Sequence, residues 1–348
     1  MAELHDRERE AILLGTDGAG ISMDKGEISM IFHLREPLSV KSLADEFKNS
    51  GSAIRNGKLI RFSGVDGFDV YNPSIPFKLG KRTVMAGRVE KRDFFKSNTM
   101  FFEKQADGSF SLIPGAHVLE GFEDPAITEI GGDLILAGTR VLWKDNGELI
   151  TYRAEFYKLH DLNEPEFLFA GPDYMKDIRL LDLKDGRIAI TTRPRDDRRM
   201  RKLDRLAAIG FTVASGLHEI NAQSIDEAPL MQWHFLPDEW GGINQMFLLK
   251  NGRIGALGHI ACGSQEELHY YSVAQSIDLK TGEVTPFGMI GSRDCYEDAP
   301  AKRDALRDVT FTSGIIRKEN GKADLYTGLS DSCCGVREID DPLTEFES

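Results

Sequence analysis

Cysteine is scarce in this sequence, and long hydrophobic runs are absent from it. No apolar stretch approaches the roughly 18 residues that a membrane helix needs, and the first residues lack the apolar core of a signal peptide. No C-x-x-C pair occurs, so a disulfide framework is not expected, and reduced thiols fit better. We therefore expect a cytoplasmic protein without a membrane partner. The four cysteines are Cys262, Cys295, Cys333 and Cys334.

The sequence also lacks a basic excess and the common nucleotide and metal motifs. The formal net charge is -13, which disfavours a nucleic-acid partner. No P-loop, dinucleotide fingerprint or G-x-S-x-G motif is present. His259, Cys262 and His269 have a spacing that fits no known zinc cluster well. We expect no metal and no organic cofactor, and the oligomeric state stays open.

Helical periodicity is sparse, and short strand patterns dominate instead. Alternating apolar runs such as LILAG, RIAITT and KADLYTG are separated by Gly, Asn and Asp. Hairpin turns are predicted at residues 184–186, 250–252 and 320–322, and helical periods only at 39–47 and 196–208. The chain is therefore expected to be all-β.

Five segments repeat one plan of polar residue, strand, turn and second strand. They begin 53 to 67 residues apart, which is about the length of one four-stranded propeller blade. The repeat predicts a five-bladed β-propeller as a catalytic domain over residues 61–348. Residues 1–60 are predicted to be an extension that supplies a closing strand or a flap. The leading polar residues either cap turns or converge on one axial pocket, which we favour: Asp69, Asp124, Asp177, Asn244 and Asp308.

Cations recur at matching positions of the same repeats. Carboxylates bind sugar hydroxyls, and a protonated one can donate to a glycosidic oxygen. A hydrolase needs two such carboxylates, whereas a phosphorolytic enzyme needs one acid and cations for the phosphate. Ion pairing within the repeats is the alternative explanation for these residues. The cations concerned are Arg88, Lys176, Arg179, Arg193 and the ionisable His259.

The stretch GFEDP places two adjacent carboxylates, Glu123 and Asp124, before Pro125. Neighbouring carboxylates raise the cost of ionising both, which favours one of them remaining protonated, as a general acid requires. Pro125 fixes the backbone and removes a ladder donor. From these residues alone, a solvated turn and a catalytic acid are equally good interpretations of the motif.

Motifs in every repeat carry a family resemblance: YNPSIPFKLGKRTVMAGRVE, GFEDPAIT, MKDIRLLDLKDGRIAITTRPR, EWGGINQMFLLKNGRIGALGHIA and DVTFTSGIIRKENGKADLYTGLSD. From about Arg61 to Pro342 the chain resembles the mannosyltransferase/mannoside-phosphorylase-like family, long catalogued as a domain of unknown function. It is similar, more distantly, to the β-1,2-mannoside phosphorylases, which are five-bladed propellers.

The resemblance implies roles for individual residues. Asp124 matches the general acid, which acts through a hydroxyl of the bound mannose. Lys176, Arg179, Arg193 and His259 are expected to bind phosphate. Pro125 is followed by Ala126, where the phosphorylases usually have Arg. The resemblance also implies that Asn72, Arg88 and Asp331 bind substrate. Trp240 is expected to bind substrate because it precedes Gly241 and Gly242 at the predicted pocket entrance. The repeat and the GFEDP motif add Asp69, Glu123, Asp177, Asn244 and Asp308 to the expected substrate-binding residues.

The resemblance implies inverting phosphorolysis or synthesis of β-mannosides, of β-1,2 linkage, with mannose 1-phosphate and inorganic phosphate as partners. Three alternatives stay open. The first is a nucleotide-sugar-dependent mannosyltransferase, and the second is an inverting hydrolase that pairs Asp124 with Asp69 or Asp177. The third is a non-catalytic sugar-binding propeller.

Overall fold

The computed structural model describes residues 39–347 except residues 93, 95, 196, 197, 232 and 233. Strands dominate these residues, as the sequence predicted, and the helices are short. Turns of 3-10 helix lie at Leu217–Glu219, Arg293–Cys295, Asp304–Leu306 and Thr344–Glu347. The α-helices in the described part are α1 (Val40–Asn49), α2 (Arg198–Lys202) and α3 (Ala222–Asp226).

The first half of the described chain forms two sheets. In the first, the strand order is β2-β7-β6-β5-β3, with β4 paired to β5 and β8 to β6. The second has the order β12-β11-β10-β9. Their strands, together with β1, are β1 (Lys58–Ile60), β2 (Phe62–Ser63), β3 (Asp69–Tyr71), β4 (Phe77–Leu79), β5 (Arg82–Glu90), β6 (Asn98–Lys104), β7 (Phe110–Leu112), β8 (Leu119–Glu120), β9 (Phe122–Ile130), β10 (Asp133–Trp143), β11 (Leu149–Lys158) and β12 (Glu166–Ala170).

The second half forms a four-stranded sheet and an eight-stranded one. The third sheet has the order β13-β14-β15-β16, and the last β1-β23-β22-β21-β19-β18-β17, with β20 paired to β19. Only two residue pairs, in a parallel β19–β21 contact, join the two antiparallel halves of the last sheet. The strands are β13 (Arg179–Asp182), β14 (Ile188–Thr192), β15 (Ile209–Ala214), β16 (Leu230–Met231), β17 (Trp240–Leu248), β18 (Ile254–Gly263), β19 (Leu268–Ile277), β20 (Gly288–Gly291), β21 (Asp308–Arg317), β22 (Lys322–Leu329) and β23 (Cys333–Asp340).

The sheets pack against one another in chain order. Strand β9 lies against β5 and β13, β13 against β17, and β17 against β21, while β3 of the first sheet meets β22 and β23 of the last. Strands β13 and β14 are buried along their whole lengths, as expected for strands covered on both faces. Neighbouring sheets thus meet through strands β3, β9, β13, β17 and β21, which we call the inner strands.

The described part of the predicted extension is packed onto this body. Ser39 caps α1 by accepting a hydrogen bond from the backbone N–H of Ser42, and Val40, Leu43 and Ala44 join a hydrophobic cluster with β18. Strand β1 pairs with β23, so residues 58–60 complete the outer edge of the last sheet. Residues 1–38, where a flap was also considered, lie outside the described residues. None of the helices described here has the length and apolar character needed to cross a bilayer.

Candidate functional site

Strained backbone positions concentrate at the end where the inner strands begin. Among the described residues, eight non-glycine residues have a positive φ, and six of them are predicted site residues or lie within two residues of one. Asn and Asp tolerate the left-handed region best, whereas other residues adopt it at a cost. Such strain collects at functional sites, so this end is the candidate site. The six residues are Asn72, Asp124, Tyr174, Asp177, Ser330 and Asp331.

Irregularities in strand pairing identify which residues are equivalent between the sheets. The β9–β10 ladder shifts where Asp124 and Pro125 oppose Gly138. The β17–β18 and β21–β22 ladders shift at Asn244 and Ser313. A β-bulge of this kind re-aims a side chain, and in these three ladders the residues concerned are Asp124, Asn244 and Ser313. Asn72 and Asp177 lie just outside the ladders of β3 and β13 and, like Asp124, have a positive φ.

Asp124 lies at the centre of the site and is buried. Its Oδ1 accepts hydrogen bonds from Asn72 Nδ2 at 2.9 Å and from Arg88 Nη1 at 3.2 Å. Its Oδ2 lies 3.7 Å from Lys176 Nζ. Gly328 makes room for this arrangement, because a Cβ there would lie 1.9 Å from Asn72 Oδ1. The acid is thus held by an amide and two cations.

Arg88 is the cation that joins Asp124 to the other acids. Its Nη2 lies 3.0 Å from Glu123 Oε1 and 3.1 Å from Glu90 Oε2, and its guanidinium carbon is 4.8 Å from the Tyr71 ring centre. Arg88 thus pairs with Glu90 in addition to its contact with Asp124. Arg88 is suited to orienting the carboxylate of Asp124.

A second group surrounds Asp177, whose carboxylate is buried. Arg193 Nη1 lies 2.9 Å from Asp177 Oδ2, and Arg193 Nε donates to the Gly241 carbonyl at 3.0 Å. His259 Nδ1 donates to Asn244 Oδ1 at 2.8 Å, because an amide oxygen can only accept. His259 Nε2 is buried and has no partner among the described residues. In this tautomer Nε2 accepts, which suits a sugar hydroxyl or a protonated phosphate oxygen.

The electrostatics separate the acids of the site. Burial raises the pKa of Asp124, but Arg88 and Lys176 outweigh it, so the pKa is below its usual range. Burial likewise opposes ionisation of Asp177, and Arg193 and Lys176 hold its pKa well below that of an ordinary Asp. Burial raises the pKa of Glu123 and of Asp331 above their usual values. Of the adjacent pair, Glu123 is therefore the acid that holds a proton more readily, and Asp124 is ionised.

Four predicted site residues have positions other than those expected. Asp69 accepts two hydrogen bonds from Arg92, at 2.7 and 2.9 Å. Asp308 accepts from His269 Nδ1 at 2.7 Å and from the Tyr271 hydroxyl at 2.5 Å. These contacts place both carboxylates outside the group around Asp124 and Asp177. In the first sheet it is Asn72, three residues after Asp69, that contacts Asp124.

Trp240 and Arg179 are the other two predicted site residues whose positions differ from those expected. Trp240 is 3% exposed, donates to the Tyr270 hydroxyl at 2.8 Å and carries the Arg195 guanidinium 4.5 Å above its ring. It is a core residue and has no face free for a sugar. Arg179 donates to the carbonyls of Asn244 and Ile178, at 3.0 Å each, and lines a separate cavity of ≈ 570 Å³. Its Nη2 also lies 3.8 Å from Asp177 Oδ1, so Arg179 is an ion-pair partner of Asp177, and its phosphate contact stays a prediction.

Several residues of the site were not found from the sequence. Glu90 accepts hydrogen bonds from the Tyr71 hydroxyl, Ser97 Oγ and Lys302 Nζ in addition to Arg88. Lys302 comes from a loop more than 200 residues away, so no local pattern indicates its proximity. The only sequence signal for Glu90 was its position two residues after Arg88 in the same strand.

Acid should destabilise the fold through two buried histidines. Burial lowers the pKa of His259 to about 3 and that of His234 to about 4, against about 6.5 in an unfolded chain. Both stay neutral when folded, so their stabilising contribution is present above pH 6.5 and is lost as the pH falls toward 4. We expect each to lower the free energy of unfolding by up to about 1.4 kcal/mol per pH unit.

Urea unfolding of the wild type at pH 7, 6, 5 and 4.5 measures this slope. His234→Gln, which lies outside the Asp124 and Asp177 groups, should flatten it, and His259→Gln should do so independently. His259→Gln also removes an interaction with the Asp177 carboxylate, so His234→Gln is the cleaner of the two comparisons. Equal slopes for the wild type and both variants would contradict the assignment.

Comparisons with known proteins place the chain among mannosyl-transferring relatives. Residues 46–345 match the model of a family described as "Protein of unknown function (DUF1861)". MPT-4, a mannose phosphorylase from Leishmania mexicana solved with a phosphate ion, is 34% identical; the match covers 88% of this chain and 95% of that one, with a TM-score of 0.80.

Two further solved structures extend the comparison. MPT-1, a GDP-Man-dependent mannosyltransferase from Leishmania mexicana, is 29% identical over 89% of this chain and 96% of that one, with a TM-score of 0.80. A β-1,2-mannobiose phosphorylase from Listeria innocua shares the fold at 14% identity over 82% and 94% of the two chains, with a TM-score of 0.58. No curated protein sequence matches the chain.

Proposed function

This chain belongs to the family described as "Protein of unknown function (DUF1861)", and on that premise we propose that it transfers mannosyl groups by inverting phosphorolysis and synthesis of β-mannosides. The observation that carries the proposal is one central acid, Asp124, beside the cations Arg88 and Lys176. The similarity to a mannose phosphorylase that binds a phosphate ion supports it. The β-1,2 linkage rests on the resemblance to the mannobiose phosphorylases.

The proposed scaffold is a five-bladed β-propeller. Five groups of antiparallel strands follow one another along the chain, and β3 of the first packs against β22 and β23 of the last, which supports this scaffold. Strand β1 would then be the outer strand of the fifth blade. The catalytic domain would accordingly extend from this strand through residue 347, slightly beyond the boundary predicted at residue 60.

In the proposed phosphorolysis, Asp124 supplies a proton to the leaving glycosidic oxygen. A phosphate oxygen attacks the anomeric carbon from the opposite side, the bond from that carbon to the leaving oxygen breaks, and the configuration inverts. Lys176 and Arg193 hold the phosphate, since Lys provides a point charge and Arg a fork of donors. Asn72 and Asp331 bind hydroxyls of the mannose. The products are mannose 1-phosphate and the shortened acceptor.

The low pKa of Asp124 matches the synthetic direction of this reaction. There the carboxylate must accept a proton from the acceptor hydroxyl, so it must be ionised at the start. In the degradative direction, phosphate bound beside Lys176 places negative charge next to the cation that keeps Asp124 ionised. This charge raises the pKa of Asp124. Protonation of the acid is thereby coupled to phosphate binding.

Transfer from a nucleotide-linked mannose is the second candidate. The similarity to the GDP-Man-dependent mannosyltransferase, with the same TM-score of 0.80, favours it. A hydrolase is less well supported. Asp69 is engaged by Arg92, and Asp177, paired with Arg193, has too low a pKa to be an effective base. The many charges of the site also argue against a non-catalytic sugar-binding protein.

A phosphate-release assay tests the proposal. Mannose 1-phosphate is supplied as donor with mannose or mannobiose as acceptor, and acceptor-dependent phosphate release is the expected result. GDP-mannose is tested in parallel. Release of GDP without release of phosphate would favour the second candidate. The absence of turnover with either donor would reject both.

Replacing Lys176 with Met should specifically weaken phosphate binding. The side chain is 32% exposed and is the most accessible cation beside Asp124. Loss of one charge-assisted contact costs about 1.5–3 kcal/mol, or roughly 10- to 100-fold in the KM for phosphate. Lys144→Met is the matched control, because Lys144 pairs only with exposed Glu148 at the surface. An unchanged KM in Lys176→Met would remove this residue from the phosphate site.

A further inference from the structure

Tyr174 is an exposed aromatic residue in an unfavourable backbone conformation. Its φ is 61°, and its side chain is 54% exposed. A bulky residue with positive φ is a genuine outlier, and such strain persists only where the surroundings impose it. Glycine would adopt this conformation without cost. The turn itself therefore does not explain why a tyrosine occupies the position.

The surroundings hold the ring in one orientation. The Tyr174 backbone N–H donates to the Tyr152 carbonyl at 2.6 Å, and its hydroxyl donates to the Ile150 carbonyl at 2.9 Å. The rings of Tyr174 and Tyr152 meet edge to face, with centres 5.7 Å apart. The next residue, Met175, is buried and bridges to Arg153. Tyr174 is thus fixed in place before any ligand binds.

This ring stands beside the mouth of the candidate site. Only Met175 separates it from Lys176, so the two Cα atoms are at most about 7 Å apart, and Lys176 Nζ lies 3.7 Å from Asp124. Leu149 and Ile150 follow the β10–β11 turn at the same end and are 43% and 46% exposed. On this side, the rim of the charged pocket therefore carries an exposed apolar surface. It lies near Lys176, which contacts Asp124.

We propose that Tyr174 is the platform on which the acceptor sugar stacks. This inference rests on the proposed function and adds where the acceptor binds. The C–H face of a pyranose is apolar and packs on an aromatic ring, while its hydroxyls stay in water. The charged residues around Asp124 and Asp177 occupy the other half of the site, where mannose and phosphate bind. A rigid ring loses little conformational freedom on binding, which favours an ordered tyrosine for this purpose.

Calorimetric titration with two ligands tests the inference. Mannose 1-phosphate occupies only the donor half, whereas β-1,2-mannobiose extends into the acceptor half. Tyr174→Gly should weaken mannobiose binding about tenfold and leave mannose 1-phosphate binding unchanged. Tyr174→Phe keeps the ring and should bind mannobiose like the wild type. Phe167→Ala is the matched control. Phe167 lies in β12, pairs with the far end of β11 and is 52% exposed.

The outcomes separate this inference from the proposed function. Equal mannobiose affinity in Tyr174→Gly and the wild type overturns the platform alone. Equal weakening of both ligands assigns Tyr174 a structural role and also overturns it. If the wild type binds neither ligand, the proposed function is overturned. The acceptor platform, which rests on that function, is then overturned as well. Thermal melting of Tyr174→Gly shows that the variant is folded, since glycine relieves the strain at this position.

Discussion

Replacing Asp124 with Asn is expected to lower kcat for phosphate release about 10³-fold. General acid–base catalysis contributes roughly 10²–10⁴-fold, and the amide can neither donate nor accept the transferred proton as the carboxyl group does. The shape of the side chain is kept, and its oxygen can still accept from Asn72 and Arg88. Mannose 1-phosphate should therefore bind with little change in affinity. Steady-state kinetics and calorimetry together measure the two effects.

The neighbouring acid provides the control. Glu123→Gln changes a carboxylate that is bound to the same Arg88 and to Ser97, but that does not contact Lys176. We expect it to reduce kcat much less than Asp124→Asn does. If Glu123→Gln caused the larger loss, Glu123 would be the proton donor, in agreement with its raised pKa. If both variants kept full activity, neither acid would take part in the reaction.

The sequence predicted the architecture of the hairpins well because their signals are local. The turns predicted at residues 184–186, 250–252 and 320–322 each join two observed strands. The helical period at 39–47 corresponds to α1, which presents Val40, Leu43 and Phe47 on one buried face. The period at 196–208 produced only the short α2, and part of that range lies outside the described residues.

The positions of the site residues were less predictable. The repeat was aligned on strand starts, which is valid only while side chains alternate regularly. Asp69 and Asp308 are the first residues of β3 and β21, whereas Asp124 is the third residue of β9 and lies at its bulge, so the three carboxylates do not occupy matching positions. Trp240 was placed at the pocket because it precedes Gly241 and Gly242. Its actual burial depends on Tyr270 and Arg195, whose packing no local pattern shows.

The ionisation state of Asp124 could not be predicted either. Adjacency to Glu123 correctly suggests that one acid of the pair holds its proton more readily. Which of them does so is decided by Arg88 and by Lys176, from the segment before β13, which both contact Asp124. Charge–charge distances of a few ångströms between separate strands set the pKa values here. Sequence spacing contains none of these distances.

Replacing Glu90 with Ala is expected to cost about 3–5 kcal/mol of folding free energy. Glu90 is 1% exposed and is the shared partner of Arg88 and Lys302. Its removal leaves Lys302, which is 15% exposed, without the carboxylate that compensates its charge. It also removes the acceptor that keeps Arg88 directed toward Asp124. Urea unfolding should show the loss of stability, and the remaining folded enzyme should show a reduced kcat.

The exposed pair Lys144 and Glu148 is the control, since its two side chains are 57% and 62% exposed. Glu148→Ala should change stability by no more than about 0.5 kcal/mol, because water and salt screen that pair. The double variant Glu90→Ala with Lys302→Met distinguishes an uncompensated charge from lost packing. If the buried charge is the cause, the double variant should be more stable than Glu90→Ala alone. A double variant that is less stable than Glu90→Ala would show instead that Lys302 stabilises the site independently of Glu90.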